Sequence, residues 1–161
     1  MPRALYLLRH EEAEPAAAGP DGHRTLTPHG RARMHRTGRR FAQLGEPIDL
    51  ILTSPLVRAV QTAEILATTL SFEGPLHSRL RIAEPASFAD LDLVIAEAGA
   101  QNVVVVGHEP TLSSYTSHLL GQALPRGYSP GTMYALSMGP GRAQFRWVLW
   151  PDAAAPSGSL T

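Results

Sequence analysis

Ala4-Leu5-Tyr6-Leu7-Leu8-Arg9-His10-Glu11 is the stretch on which the reading of this chain turns. An apolar run of strand type stops abruptly at Arg-His, close to the amino terminus. A run without polar alternation predicts a strand covered on both faces, as in an α/β sheet. In such sheets the chemistry gathers just past the carboxyl ends of the strands. Arg9 and His10 occupy that position, so the question becomes which other segments deliver partners to His10.

Glu12 to Gly22 is rich in Pro, Gly and Ala and predicts a surface loop, long enough to be functional. Thr27-Pro28 opens a helix, Thr27 as its cap and Pro28 in its first position, and Gly45-Glu46-Pro47 stops it after Leu44. Asp49-Leu50-Ile51-Leu52 is a second strand, running into Thr53-Ser54-Pro55, where Ser54 is expected to cap and Pro55 to open a helix to Leu70. A brief third strand is expected within Phe72 to Arg81. A helix is expected over Ser87 to Ala98, with Phe88, Leu91, Val94 and Ile95 inward. Asn102-Val103-Val104-Val105-Val106-Gly107 predicts a central parallel strand, ending in His108-Glu109-Pro110 before a helix to Leu120. Two β segments, near Thr132–Met138 and Gln144–Trp150, flank Gly139-Pro140-Gly141, a hairpin signal. The Trp147 and Trp150 rings, three residues apart, are expected on opposite faces of that last strand.

Strands alternating with helices predict a three-layer α/β/α sandwich, with a largely parallel central sheet and an antiparallel carboxyl-terminal edge hairpin. One domain is expected over 1–150, with 151–161 a flexible tail of small residues.

Composition narrows the function classes. The formal net charge is zero, which gives no global field for nucleic acid or an anionic membrane surface. All 14 basic residues are arginine, a bias that a GC-rich genome also produces. Any fixed cationic site is therefore a guanidinium one, suited to forked contacts with phosphate oxygens. The absence of cysteine removes disulfides, thiolate catalysis and thiolate-held metal. No apolar run reaches the roughly 20 residues that cross a bilayer, and no signal-peptide layout precedes the first strand, so a cytoplasmic protein is expected. The seven histidines include no H-x-x-x-H pair, so no metal and no cofactor are assigned. Arg31, Arg33, Arg36, Arg39 and Arg40 crowd one helix and read as a solvated face, or as a docking surface for an acidic partner.

Three strand ends are each followed by polar residues of one kind: Arg9 and His10; Ser54 with Arg58 a helical turn on; and His108. A lone histidine at a strand end is more often a hydrogen-bonded structural residue. A lone arginine in a helix's first turn is mildly opposed by the helix dipole unless an anion sits there. If the strands are parallel neighbours, two histidines, two arginines and two helix amino-termini converge on one crevice suited to a phosphoryl dianion. The set is strong where its members are weak.

These residues resemble a known family. Leu8-Arg9-His10 is similar to the Arg-His signature of the histidine phosphatase (phosphoglycerate mutase-like) superfamily, and Arg24-Thr25-Leu26-Thr27-Pro28-His29-Gly30 to its "R-x-L-T-x-x-G" helix start. Ser54-Pro55-Leu56-Val57-Arg58-Ala59-Val60-Gln61-Thr62-Ala63 matches its "S-P-x-x-R-A-x-Q-T-A" segment, and Val106-Gly107-His108-Glu109-Pro110 its "V-G-H-x-P" motif. The compact length most resembles the SixA-type phosphohistidine phosphatases. The resemblance implies that His10 is a nucleophile forming a phosphohistidine intermediate, with Arg9, Arg58 and His108 on the phosphoryl oxygens and Arg24 near the substrate entrance. It also places Ser54 among the substrate-binding residues.

The sequence departs from the family pattern twice. Glu11 stands where the superfamily usually has Gly, and a carboxylate beside a phosphate site must turn away or pair with an arginine; action on the leaving group is the other option. Glu84 is the available candidate for a general acid, but it lacks the motif that surrounds that acid in the larger mutase-like members. Phosphohistidine leaves readily as imidazole whereas a sugar alkoxide does not, so the expected substrate is a phosphohistidine-bearing protein, with phosphate as product. A small-molecule phosphomonoesterase and a non-catalytic phosphate-binding module are the alternatives.

Overall fold

The structure is a computed structural model that describes residues 1–161. The apolar runs form strands β1 (Ala4–Arg9), β2 (Leu50–Thr53), β3 (Leu76–Ser78) and β4 (Asn102–Gly107), and the hairpin forms β5 (Met133–Ser137) and β6 (Gln144–Leu149). They make one six-stranded sheet in the order β3-β2-β4-β1-β5-β6. The pairs β1–β4, β2–β4 and β2–β3 are parallel, whereas β5 runs antiparallel to β1 and β6 antiparallel to β5. The α/β expectation is met.

Side-chain alternation along the inner strands divides the core in two. Leu5, Leu7, Leu50, Leu52, Val103 and Val105 face helices α3 (Phe88–Glu97) and α4 (Thr111–Leu120), where Leu91, Val94, Ile95, Leu112 and Tyr115 cover them. Tyr6, Leu8, Ile51, Val104 and Val106 face α1 (Pro28–Gln43) and α2 (Val57–Thr69), meeting Met34, Phe41, Ala59, Ala63 and Leu66. Each strand needs apolar residues at every position because a helix layer lies on either side. Truncating one of these fully buried leucines to alanine is worth about 2–5 kcal/mol.

Thr27 caps α1 as expected, its hydroxyl accepting from the Gly30 amide at 2.9 Å. Gly30 is obligatory for packing as well, since a Cβ there would collide with the Glu12 carbonyl. The loop after β1 is thereby drawn down onto the start of α1. The cap expected of Ser54 is not seen. Helix α2 starts at Val57 behind Leu56, and the Ser54 hydroxyl, although it accepts the Leu56 amide at 3.2 Å, is buried below the helix start. Likewise α4 begins at Thr111, one residue after Pro110.

The hairpin also differs in detail. Trp150 lies beyond β6; its ring packs edge-on to Tyr134 at 5.8 Å and under Arg126, while Trp147 meets Tyr6 and Phe41 on the other face. The segment 151–161, for which composition predicts flexibility, folds back on the sheet edge. Ser157 pairs with Val148 through both backbone bonds, and the Pro151 carbonyl accepts from Arg40 at 3.0 Å. Composition missed this because the contacts use backbone groups, which any residue supplies. No helix is long and apolar enough to cross a membrane.

Candidate active site

The adjacent strands β1, β4 and β2 end on the same side of the sheet and deliver the candidate residues to one pocket of about 380 Å³. Arg9, His10, Arg58 and His108 line it together, with Arg24 and Glu84 also in its wall. The rings of His10 and His108 lie 5.0 Å apart between centroids. His10, Arg58 and His108 are all buried, at 9%, 7% and 3% exposure.

The protonation of His10 follows from one contact. Its Nδ1 lies 2.7 Å from the Glu11 carbonyl oxygen, which can only accept. Nδ1 therefore carries the proton and Nε2 the lone pair. Arg58 agrees, since its Nε–H donates to His10 Nε2 at 3.3 Å. Burial is the main reason the His10 pKa falls to about 3, helped by the nearby His108, Arg58 and Arg9 charges and opposed by the Glu11 carbonyl. Burial likewise takes His108 down to about 4, with Arg58 next in effect. Both imidazoles are neutral at pH 7.

The cationic groups are held by loops. Arg9 donates from Nη1 to the Tyr128 carbonyl at 2.9 Å, while its buried Nε has no partner. Burial lowers the Arg9 pKa, although a guanidinium stays charged. Arg58 donates from Nη1 to the Asp21 carbonyl at 2.7 Å and from Nη2 to the Asp21 carboxylate at 3.3 Å. Arg24 is committed to the same loop, reaching Asp21 Oδ1 at 2.7 Å and the Glu14 carbonyl at 2.9 Å. Asp21, held mainly by Arg24, has its pKa lowered and stays ionised.

The remaining candidates take other places. Ser54 is fully buried, with its hydroxyl 2.8 Å from His108 Nε2, so it is turned to the histidine and not to the pocket. Glu84 is exposed at the rim, and its carboxylate accepts the Thr111 amide at 3.2 Å. Ser113, also in the first turn of α4, gives its amide to Glu109 at 2.8 Å. The amides of Thr111 and Ser113 at the start of α4 are thereby taken by side chains of this chain and are not offered to a ligand.

Glu11 pairs with an arginine, one of the options its position allows. Its carboxylate is fully buried, with Arg33 Nε on one oxygen at 2.8 Å and Arg33 Nη2 on the other at 2.7 Å. The Glu12 amide adds a bond of 2.7 Å to the second oxygen. Both oxygens are committed away from the pocket, which removes the option of Glu11 acting on a leaving group. Arg33 is correspondingly not part of a solvated face. It lies three residues after buried Gly30 and four before buried Thr37, a helical spacing that points inward. Gly131 completes the enclosure: its φ is +83°, and a Cβ there would land on the Glu11 carboxylate. Sequence reasoning missed Asp21 altogether, because a single loop carboxylate gives no periodic signal.

The sequence profile of the histidine phosphatase superfamily (branch 1) matches residues 5–85. An uncharacterized Picosynechococcus protein is 38% identical over 116 residues, 69% of each chain. A Haemophilus influenzae homologue of the phosphohistidine phosphatase SixA is 28% identical over 144 residues, 82% of this chain and 86% of that one. Among solved structures, the chain assigned as phosphohistidine phosphatase SixA of Agrobacterium tumefaciens superposes with a TM-score of 0.82 at 26% identity, covering 92% of this chain and 98% of that one. With a profile match over half its length and relatives of the same compact size, the chain belongs to branch 1 of the histidine phosphatase superfamily and is a SixA-like phosphatase.

Proposed function

We propose that the protein removes phosphate from phosphohistidine carried on another protein, through a phosphoryl intermediate on His10. The observation that carries this reading is the bond from His10 Nδ1 to the Glu11 carbonyl, because it leaves Nε2 as a neutral lone pair at the pocket. In the first step Nε2 attacks phosphorus, the substrate N–P bond breaks, and the leaving imidazole takes a proton from solvent. In the second, water attacks the phosphorylated His10, a proton is lost to solvent, and inorganic phosphate departs with Nε2 restored. Covalent catalysis divides one hard hydrolysis into two easier displacements. Phosphoryl transfer asks mainly for positioning and charge stabilisation, which Arg9, Arg58 and His108 supply. The guanidiniums beside both imidazoles also make the pocket hostile to a metal cation.

The leaving group distinguishes substrates. Both pocket histidines are neutral, Glu11 is locked to Arg33 and Glu109 is bound to Ser113, so none of these offers a strong acid to the scissile bond. An imidazole leaves without one far more easily than an alkoxide. The SixA names of the Haemophilus and Agrobacterium relatives support the same substrate class. A small-molecule phosphomonoesterase is the second reading, favoured by Glu84 at the pocket rim, where a carboxylic acid has access to a departing oxygen.

The test is an activity panel on a phosphohistidine protein and on simple phosphate esters, with and without EDTA. Release of phosphate from phosphohistidine, unaffected by EDTA and abolished in His10→Ala, is the expected result. Ester hydrolysis without action on phosphohistidine refutes the substrate assignment. Full activity of His10→Ala refutes the nucleophile, and inactivity on every phosphate leaves a binding module.

A further inference from the structure

We propose that Ser54 is a positioning residue that fixes His108 as its Nδ1–H tautomer, so that His108 meets the phosphoryl group as a neutral hydrogen-bond donor. The proposal rests on the phosphatase reading above and adds to it the state of the second histidine.

Three observations combine. The Ser54 hydroxyl accepts the Leu56 amide at 3.2 Å and lies 2.8 Å from His108 Nε2. Both side chains are buried, Ser54 completely and His108 at 3% exposure. His108 Nδ1 is buried without a partner, in a residue that lines the pocket.

The two neutral tautomers satisfy this arrangement unequally. If His108 carried its proton on Nε2, it would donate to a Ser54 oxygen that already accepts from Leu56. The Ser54 proton would then have no acceptor, and His108 Nδ1 would be a buried acceptor without a donor. If the proton is on Nδ1, Ser54 accepts from Leu56 and donates to His108 Nε2, and every group except Nδ1–H is matched. Buried unpaired polar groups are costly, so the second state prevails. The one donor it leaves over belongs to a residue lining the pocket, where a phosphoryl oxygen is the natural acceptor.

The tautomer also limits what His108 can do. A neutral imidazole that gave away its only proton would become an imidazolate, so His108 donates a hydrogen bond and does not protonate the leaving group. Substrates whose leaving group departs without an enzyme acid are those that such a pocket serves. Ser54 thereby acts on specificity through His108 without touching substrate.

The direct measurement is the long-range 1H–15N spectrum of the 15N-histidine-labelled protein at pH 7, with the His108 signals assigned by their loss in His108→Gln. A lone-pair Nε2 and a protonated Nδ1 are expected, with the Nδ1 proton shifting on addition of inorganic phosphate. A protonated Nε2 overturns the proposal, and so does an Nδ1 proton unmoved by saturating phosphate. Ser54→Ala should mix the two tautomers and lower kcat about 10- to 100-fold, the scale for removing a group that orients a functional histidine, with KM altered less. Ser54→Thr, which keeps the hydroxyl, should restore one tautomer and most of kcat. A single unchanged tautomer in Ser54→Ala refutes the role of Ser54. Because the spectra need no turnover, inactivity on phosphohistidine would refute the proposed substrate and leave this inference standing.

Discussion

Replacing Glu11 with glutamine, alone and combined with Arg33→Met, tests whether the carboxylate next to the candidate nucleophile is a structural anchor. The carboxylate is fully buried and receives the Arg33 fork at 2.7 and 2.8 Å, and the Arg33 side chain is itself only 13% exposed. Glutamine keeps the volume and can still accept from the Glu12 amide, but it removes the charge and turns an amide N–H toward a guanidinium. Removing one partner of a buried pair costs about 3–5 kcal/mol, because the remaining charge cannot be rehydrated. The retained shape and the remaining exposure of Arg33 place Glu11→Gln near the lower end, about 3 kcal/mol. For a chain of this size that corresponds to a fall in Tm of about 6–12 °C. Arg33→Met, which strands the carboxylate, should cost more than Glu11→Gln. Urea unfolding of both single variants and the double variant closes the cycle, with an expected coupling of about 2 kcal/mol. A loss below 1 kcal/mol in Glu11→Gln, or strictly additive single effects, would refute the anchor.

Three further outcomes are expected. Native His10 and His108 titrate near 3 and 4, below the unfolded value of about 6.5. Below pH 6.5 the unfolded chain therefore binds protons that the native state refuses, and each histidine removes about 1.4 kcal/mol of stability per pH unit until its native pKa is reached. Stability measured from pH 8 to 4 should be level above 7 and then decline, more shallowly in a His10→Asn/His108→Asn variant; an identical decline would refute this origin. Asp21→Asn removes a carboxylate 3.3 Å from the Arg58 guanidinium. The pair is exposed on the Asp21 side and worth at most about 1 kcal/mol, so phosphate should inhibit up to about fivefold more tightly; weaker inhibition would show that the carboxylate aids anion binding. Gly131→Ala should cost about 2–4 kcal/mol from the positive φ and the collision with Glu11. Part of that loss should vanish in a Glu11→Gly background, and a full loss there would mean that the collision contributes nothing.

Strand ends and helix starts were legible because they depend on short-range rules. The run Leu5–Leu8 and the valines of β4 announced buried strands, Thr27 announced its helix, and the polar residues just beyond β1, β2 and β4 announced the pocket. Ser-Pro at a strand end reads as a helix cap, and the histidine partner of Ser54, distant in sequence, gives no local sign. The same holds for Asp21 with Arg58, and for the tail, where Ser157 pairs with Val148 by backbone groups. Glu11 shows the limit most clearly. Its neighbours leave it to turn away or to pair with an arginine, and only the packing of α1 against the loop at Gly131 decides that it pairs, with Arg33.

The order of the sheet has a consequence for how the chain comes to be active. β1 pairs on one side with β4, Ala4 opposite Asn102, and on the other with β5, so it has no partner among the segments made soon after it. During synthesis the apolar run from Leu5 to Leu8 must wait, unpaired, for about a hundred residues to emerge, a topology that slows folding and exposes sticky surface. Assembly of the pocket is correspondingly all-or-none in time. His10 and Arg58 are made early, but they meet His108 only when β4 threads between β1 and β2, so a nascent chain halted before Asn102 has no pocket with which to meet a phosphoryl group.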